Sequence, residues 1–217
     1  SGLPTVGPAE VAVNFPASIS PALMGKSPTM QMTFKLLARL SAQSVPVLIQ
    51  AETGSGKAMI AQTLHEMGQF SHRAFETLSL SKVSPAAHEE ILFGPDGIYH
   101  KAQKGSLFIN AIDQLSSDAQ MALARRIENV RLSGSQPQSP RIIAGTTLDL
   151  KTLVDQGLFR DDLYFDLSVG TLKVPPLRER LEDIGQLASH FCEQLNQEFS
   201  AQRQISTDAV EFLQSYH

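Results

Sequence analysis

Val45-Pro46-Val47-Leu48-Ile49-Gln50, followed by Ala51-Glu52-Thr53-Gly54-Ser55-Gly56-Lys57-Ala58-Met59, is the stretch that decides the fold. The first run is short, apolar and rich in β-branched residues, the pattern of a strand buried in a parallel sheet. The glycine-rich run supplies small residues, so that successive backbone N–H groups can converge on a phosphate. Lys57 is placed to reach the outer phosphates. Ile60, Leu64 and Met67 then mark a helix, whose N-terminus aims at the anion. Strand, loop and helix in this order are what a phosphate-binding loop requires. Two positions depart from the pattern. Ala51 stands at the first glycine and is less free in φ. Ala58 stands where a serine or threonine would ligate magnesium. The competing reading is a glycine-rich turn that binds no anion.

Outward from this centre the alternation continues. Met30, Phe34, Leu37 and Leu40 predict an amphipathic helix over 28–43. Strands are expected at Phe75–Leu80, Ser106–Ile109, Arg141–Thr146 and Gly170–Val174. Helices are expected at Pro85–Phe93, Ala119–Val130 and Leu148–Gln156. Strands alternating with helices argue for a parallel α/β sheet. After Pro175-Pro176-Leu177 the pattern is helical, over Leu181–Phe199 and Thr207–Tyr216. The expected organisation is a linker over 1–22, rich in Gly and Pro, an α/β core over 23–176, and the start of a helical lid over 177–217, cut short at His217.

Composition narrows the function classes. With 42% apolar residues the chain can bury an ordinary core. Its net charge of −4, with no basic run, gives no electrostatic footprint for nucleic acid within these residues. The single cysteine, Cys192, excludes an intrachain disulfide and reads as a small buried residue on a helix. No apolar run nears membrane-spanning length and no signal peptide is evident, so a cytoplasmic protein without membrane contact is the default. The six histidines have no metal-ligand spacing and read as ordinary surface or core residues.

Taken together, the motifs resemble the AAA+ domain of bacterial enhancer-binding proteins, the sigma-54 activators of the nitrogen-regulator type. Leu48–Lys57 resembles the family's first nucleotide motif, and Gly105-Ser106-Leu107-Phe108-Ile109 its second. Arg141–Thr147 resembles the sensor strand. Gly157–Tyr164 is very close to the arginine-finger segment, and Pro175–Ile184 to the family's hinge signature. The likeness covers about Leu23 to His217. It implies a three-layer AAA+ core with a helical lid and a ring-forming regulator of transcription. It also implies nucleotide contacts at Glu52, Thr53, Gly54, Ser55, Gly56, Lys57, Ala58 and Met59. A sensory region and a DNA-binding helix-turn-helix would belong to other parts of the parent protein.

The departures from the family matter as much. The second motif of the family ends in Asp-Glu, the aspartate holding the magnesium water shell and the glutamate polarising the attacking water. Here those positions are Asn110 and Ala111. Asparagine brings no charge and alanine cannot accept a proton. Losing a general base costs about 10²–10⁴ in rate. Asp113 lies nearby at a different spacing and reads as a solvated or capping loop acid. Ser79 stands at the family's switch asparagine. The family's Gly-Ala-Phe-Thr-Gly-Ala loop, which grips sigma-54, is missing, because Leu92-Phe93-Gly94 runs through Pro95–Tyr99 almost directly to the next strand. Arg160 stands at the first of two finger arginines and Asp166 at the second. Arg160 therefore reads as an interface residue, with an ion pair to Asp161 or Asp162 as the bland alternative. Thr146 or Thr147 meets a phosphate or simply satisfies a strand end. Arg178 and Arg180 read as hinge residues between lid and core.

The resulting expectation is a regulatory AAA+ module, a pseudo-ATPase that holds ATP or ADP weakly. With Ala58 and Asn110 in place, magnesium finds few protein partners. The module would act through self-association or by joining an active paralogue, completing that partner's site with Arg160. One alternative is a divergent but active ATPase using Asp113. Another, from resemblance alone, is a response to cyclic di-GMP, with Arg73, Arg178 and Arg180 as candidate contacts.

Overall fold

The computed structural model describes residues 23–133 and 138–215; the expected linker over 1–22 lies outside the described residues. The helices are α1 (Pro28–Ser41), α2 (Lys57–Glu66), α3 (His88–Phe93), α4 (Ile98–Lys101), α5 (Ser117–Leu132), α6 (Leu150–Asp155), α7 (Asp161–Leu167), α8 (Ile184–Phe199) and α9 (Thr207–Ser215). The strands are β1 (Val47–Gln50), β2 (Phe75–Ser79), β3 (Ser106–Asn110), β4 (Arg141–Thr146) and β5 (Gly170–Lys173). All pairings are parallel, in the order β2-β3-β4-β1-β5. The strand reading of the sequence holds to within two residues at the ends, the larger difference being at β1, which starts at Val47 rather than Val45.

The apolar runs exist because both faces of the sheet are covered. Leu48, Leu107, Ile109, Ile142 and Ala144 pack under α5, α6 and α7 on one side. Val47, Ile49, Phe108, Ile143 and Leu172 pack under α1 and α2 on the other. Period-two alternation along each strand thus feeds two separate cores, which makes three layers.

Several expectations are corrected. The helix expected over Pro85–Phe93 begins as a 3-10 turn, Pro85–Ala87, because a proline at the start favours a tight first turn. Leu181–Asp183 is likewise a 3-10 turn, so α8 starts at Ile184. The chain between Phe93 and β3 contains α4, which alternation alone did not reveal. Gly97 N–H donates to the Gly94 carbonyl at 2.9 Å and closes the turn between α3 and α4. Phe93 and Tyr99 pack at 5.7 Å between centroids, and the Arg126 guanidinium lies 3.9 Å over the Phe93 ring. A cation–π stack thus packs the short connection between α3 and α4. Cys192 is half-buried rather than buried, its thiol donating to the Arg203 carbonyl at 3.3 Å.

The start of α1 and the lid hinge form one unit. Ser27 caps α1 ahead of Pro28. The fully buried Asp183 carboxylate accepts from Lys26 N–H (2.6 Å), Ser27 N–H (2.9 Å) and the Ser27 hydroxyl (2.7 Å). Arg180 is buried beside it, donating to the Met30 sulfur at 3.3 Å. Among the described residues no helix is long and apolar enough to cross a membrane.

Candidate functional site

The C-terminal tips of the parallel strands carry the site, as in other open α/β sheets. β1 leads into the glycine loop at the centre, between β4 and β5. Gly54 and Gly56 adopt φ of +81° and +82° and have no atom near the position of a β-carbon. They leave an open backbone cradle that side chains would strain. Ala51 has no positive φ and is buried, its N–H donating to the Thr146 carbonyl at 3.1 Å. The alanine at the first position is therefore no obstacle to the loop. No side chain caps α2, so its first N–H groups are available to an anion. Lys57 folds across the loop and donates to the carbonyls of Ala51 (2.8 Å) and Glu52 (2.9 Å). Burial lowers its pKa, and the nearby Asp113 charge opposes that shift. These features fit a phosphate chain.

A cleft of about 790 Å³ adjoins the loop, bordered by Ala51 and Glu52, by Thr29 and Met32 of α1, and by Pro175 and Pro176 of the hinge. Its lining is largely apolar, as a nucleoside base requires. Arg178 of the hinge clasps Glu52 through both carboxylate oxygens at 2.7 and 2.8 Å. That pairing raises Arg178 and lowers Glu52. The phosphate loop and the lid are thus tied by a solvent-exposed bidentate pair, and the Glu52 side chain is committed to Arg178. Met59 and Ala58 contribute through the first turn of α2; neither brings a side-chain oxygen.

The magnesium side is different. Asn110 ends β3 opposite Gly145 of β4. Its Oδ1 is buried, has no hydrogen-bond partner, and lies against Gly145, where a β-carbon would come within 3.1 Å. Its amide nitrogen makes only a long 3.5 Å contact with the Ser79 hydroxyl. Ala111 follows in the left-handed region at φ 57°, a strained place for a residue with a β-carbon. Among the described residues no cluster of three or more His, Cys, Asp or Glu is disposed to hold a metal. With Ala58 and Asn110 the donor set does not fit a protein-held ion.

Of the two expectations for Asp113, a solvated or a capping loop acid, the second is nearer, since the residue is partly buried and closes a strand end. The turn at Ala111 and the 3-10 segment Ile112–Gln114 bring it to the tip of β4. There it accepts from the Thr146 hydroxyl at 2.6 Å, and that hydroxyl accepts from Leu148 N–H at 3.0 Å. Thr146 is fully buried and satisfies its strand end, while Thr147 is exposed at the cleft.

Arg160 occupies the N-cap position of α7, with no cap bond from its side chain. Its guanidinium pairs with both Asp162 oxygens at 2.7 and 3.0 Å, which raises Arg160 and lowers Asp162. The turn before it is held by Gln120, a buried residue on α5 that the sequence reading missed. Gln120 Oε1 accepts from Arg160 N–H at 2.9 Å, and its Nε2 donates to Leu115 and Leu158 carbonyls. The available signal was one amide among the apolar residues of the inner α5 face. Asp166 is largely buried, which raises its pKa, with Arg131 4.0 Å away. Arg73, Arg178 and Arg180 do not share a surface: Arg73 precedes β2 and the other two follow β5, at opposite edges of the sheet. Arg178 is already paired and Arg180 buried. The cyclic di-GMP expectation therefore finds no common ligand face.

A central phosphate loop on a 2-3-4-1-5 parallel sheet, with a helical segment hinged after β5, defines an AAA+ P-loop domain. Comparison with known proteins narrows this. Residues 23–173 match the sigma-54 interaction domain and residues 178–217 the AAA+ ATPase lid domain; the chain belongs to the sigma-54 interaction domain family. It is 33% identical over 211 residues to the DNA-binding transcriptional regulator NtrC of Rhizobium meliloti (strain 1021), covering 89% of this chain and 44% of NtrC. It is 37% identical over 188 residues to the C4-dicarboxylate transport transcriptional regulatory protein DctD of Pseudomonas aeruginosa, covering 79% and 41%. The chain thus spans under half the length of these relatives. Among solved structures, NtrX from Brucella abortus in complex with ADP superposes with a TM-score of 0.81 at 26% identity, over 89% of this chain and 47% of NtrX. NtrX in complex with ATP gives 0.79.

Proposed function

We propose that this chain is a non-motor AAA+ module of a bacterial transcription regulator. It binds ATP or ADP, turns ATP over slowly or not at all, and works by associating with copies of itself or with an active paralogue. One observation carries the reading: an open phosphate cradle stands beside a β3 tip that offers a buried amide and a methyl where hydrolysis needs two acids. Phosphoryl transfer rests on positioning and charge neutralisation, and neither Asn110 nor Ala111 supplies charge. The relatives solved with ADP and ATP support nucleotide binding. The short α3–α4 turn, stapled by Phe93, Tyr99 and Arg126, leaves no loop with which to grip sigma-54. Arg160, placed by Gln120 on an exposed corner, is the residue we assign to a neighbour's nucleotide.

The test is phosphate release by the purified chain, beside Lys57→Ala and the double variant Asn110→Asp, Ala111→Glu. The expected result is negligible release by the wild type and measurable release once both acids are restored. Lys57-dependent turnover on the order of 1 s⁻¹ or faster in the wild type would end the proposal. Loss of a co-purifying paralogue's ATPase activity on Arg160→Ala would support the mixed-ring role.

A second reading is favoured by one contact. Asp113 lies within hydrogen-bond reach of Thr146 and acts on Lys57, so a divergent ATPase with Asp113 as its base is a definite rival. In that case Asp113→Asn abolishes turnover.

A further inference from the structure

We propose that Asp113 makes this site selective for a nucleoside diphosphate over a triphosphate. The inference rests on the nucleotide-binding reading above and specifies the ligand. Thr146 belongs to the residue pair for which the family resemblance implies a sensor role, where a hydroxyl would donate to the terminal phosphate. Its hydroxyl has one proton, and that proton goes to Asp113 at 2.6 Å. Its oxygen is also used, accepting from Leu148 N–H. At Thr146 no proton remains for a terminal phosphoryl group, and a carboxylate stands beside it; the exposed Thr147 hydroxyl is the donor left at this strand end.

That carboxylate stands at the tip of β4, beside the strand that leads into the cradle. Thr146 is the register partner of Gln50, and its carbonyl receives the Ala51 N–H at the first step of the loop. Lys57, the residue that reaches the outer phosphates, feels the Asp113 charge. The carboxylate therefore offsets part of the lysine charge that would bind a third phosphate. No protein-held magnesium compensates, since Ala58 lacks an oxygen and the Asn110 oxygen is turned into the sheet against Gly145. The inner end is untouched: the Gly54–Gly56 cradle and the uncapped α2 terminus remain for the first two phosphates. A triphosphate adds negative charge to a cradle whose lysine already lies in the field of Asp113. Like-charge repulsion at an effective protein dielectric is worth on the order of ten- to hundredfold in affinity.

The test is calorimetric titration of the full chain with ADP, ATP and a non-hydrolysable ATP analogue, with and without magnesium. The wild type is compared with Asp113→Asn, Thr146→Val and Lys57→Ala. The Asp113→Asn variant keeps an acceptor for Thr146, so the strand end stays closed; Asp113→Ser is a second variant should the first fail to fold. The expected result is ADP bound at least about tenfold tighter than ATP or the analogue. Asp113→Asn should raise triphosphate affinity by about the same factor and change ADP by less than about threefold. Thr146→Val should keep the preference, because the charge remains. Equal affinity of the wild type for ADP and ATP, or an equal change in both on Asp113→Asn, overturns the selectivity while leaving nucleotide binding in place. Absence of any Lys57-dependent binding overturns both. Brisk wild-type turnover lost on Asp113→Asn overturns the selectivity in favour of Asp113 as a base.

Discussion

Replacing Asp183 by alanine should loosen the hinge and the start of α1 together. The carboxylate is fully buried and accepts three hydrogen bonds, from Lys26 N–H, Ser27 N–H and the Ser27 hydroxyl, at 2.6 to 2.9 Å. Bonds to a charged acceptor contribute about 1.5–3 kcal/mol each, and a buried donor left without a partner costs about 1–3 kcal/mol. These terms overlap, and water can enter the space left by the shortened side chain. Arg180, buried close by, also loses the negative charge that offsets its desolvation. The expected loss is about 3–5 kcal/mol. Asp183→Asn keeps an acceptor but not the charge, and should cost about half as much. Urea denaturation measures the loss as a shift in midpoint at constant slope. Amide exchange locates it: Lys26 and Ser27 should lose protection before the β-sheet does. A loss below about 1 kcal/mol, or unchanged exchange at the Ser27 amide, would refute the assignment of Asp183 as the tie between hinge and core.

Other substitutions probe separate features. At Gly105 a β-carbon would overlap the Ala74 carbonyl oxygen, so Gly105→Ala should destabilise by about 3 kcal/mol in thermal or chemical unfolding. Ala111 sits at φ 57°, so Ala111→Gly should stabilise by about 1 kcal/mol through relief of left-handed strain; a destabilised variant would disprove the strain. His65 is lowered chiefly by burial, with its Nδ1 3.0 Å from the Ser106 hydroxyl. Its unfolded pKa thus exceeds its folded one, so its contribution is complete above about pH 6.5 and is lost as the pH falls below that value through the folded pKa. Melting temperatures from pH 8 to 5 should therefore fall less steeply for His65→Gln than for the wild type.

Much of this molecule is legible in the chain itself. Unbroken apolar runs at Val47–Ile49, Leu107–Ile109 and Ile142–Ala144 require a sheet covered on both faces. The glycines at 54 and 56 require a loop that only they can form, which places a phosphate cradle at the tip of β1. The substitutions at 110 and 111 are visible as plain residue types, and their chemistry follows from what an amide and a methyl lack. Sequence spacing left Asp113 as a solvated or capping loop acid without naming its partner, because the distance that matters is spatial. A left-handed turn at Ala111 doubles the chain back and sets the acid against Thr146, a residue 33 positions away. The Glu52–Arg178 clasp joins residues 126 apart, and Asp183 meets Ser27 across 156. Local pattern records which groups a segment can offer. Which of them meet, and so which charge stands beside Thr146 at the tip of β4, was decided only by the packing of the sheet, because hydrogen bonds and Coulomb forces act over a few ångströms regardless of position along the chain.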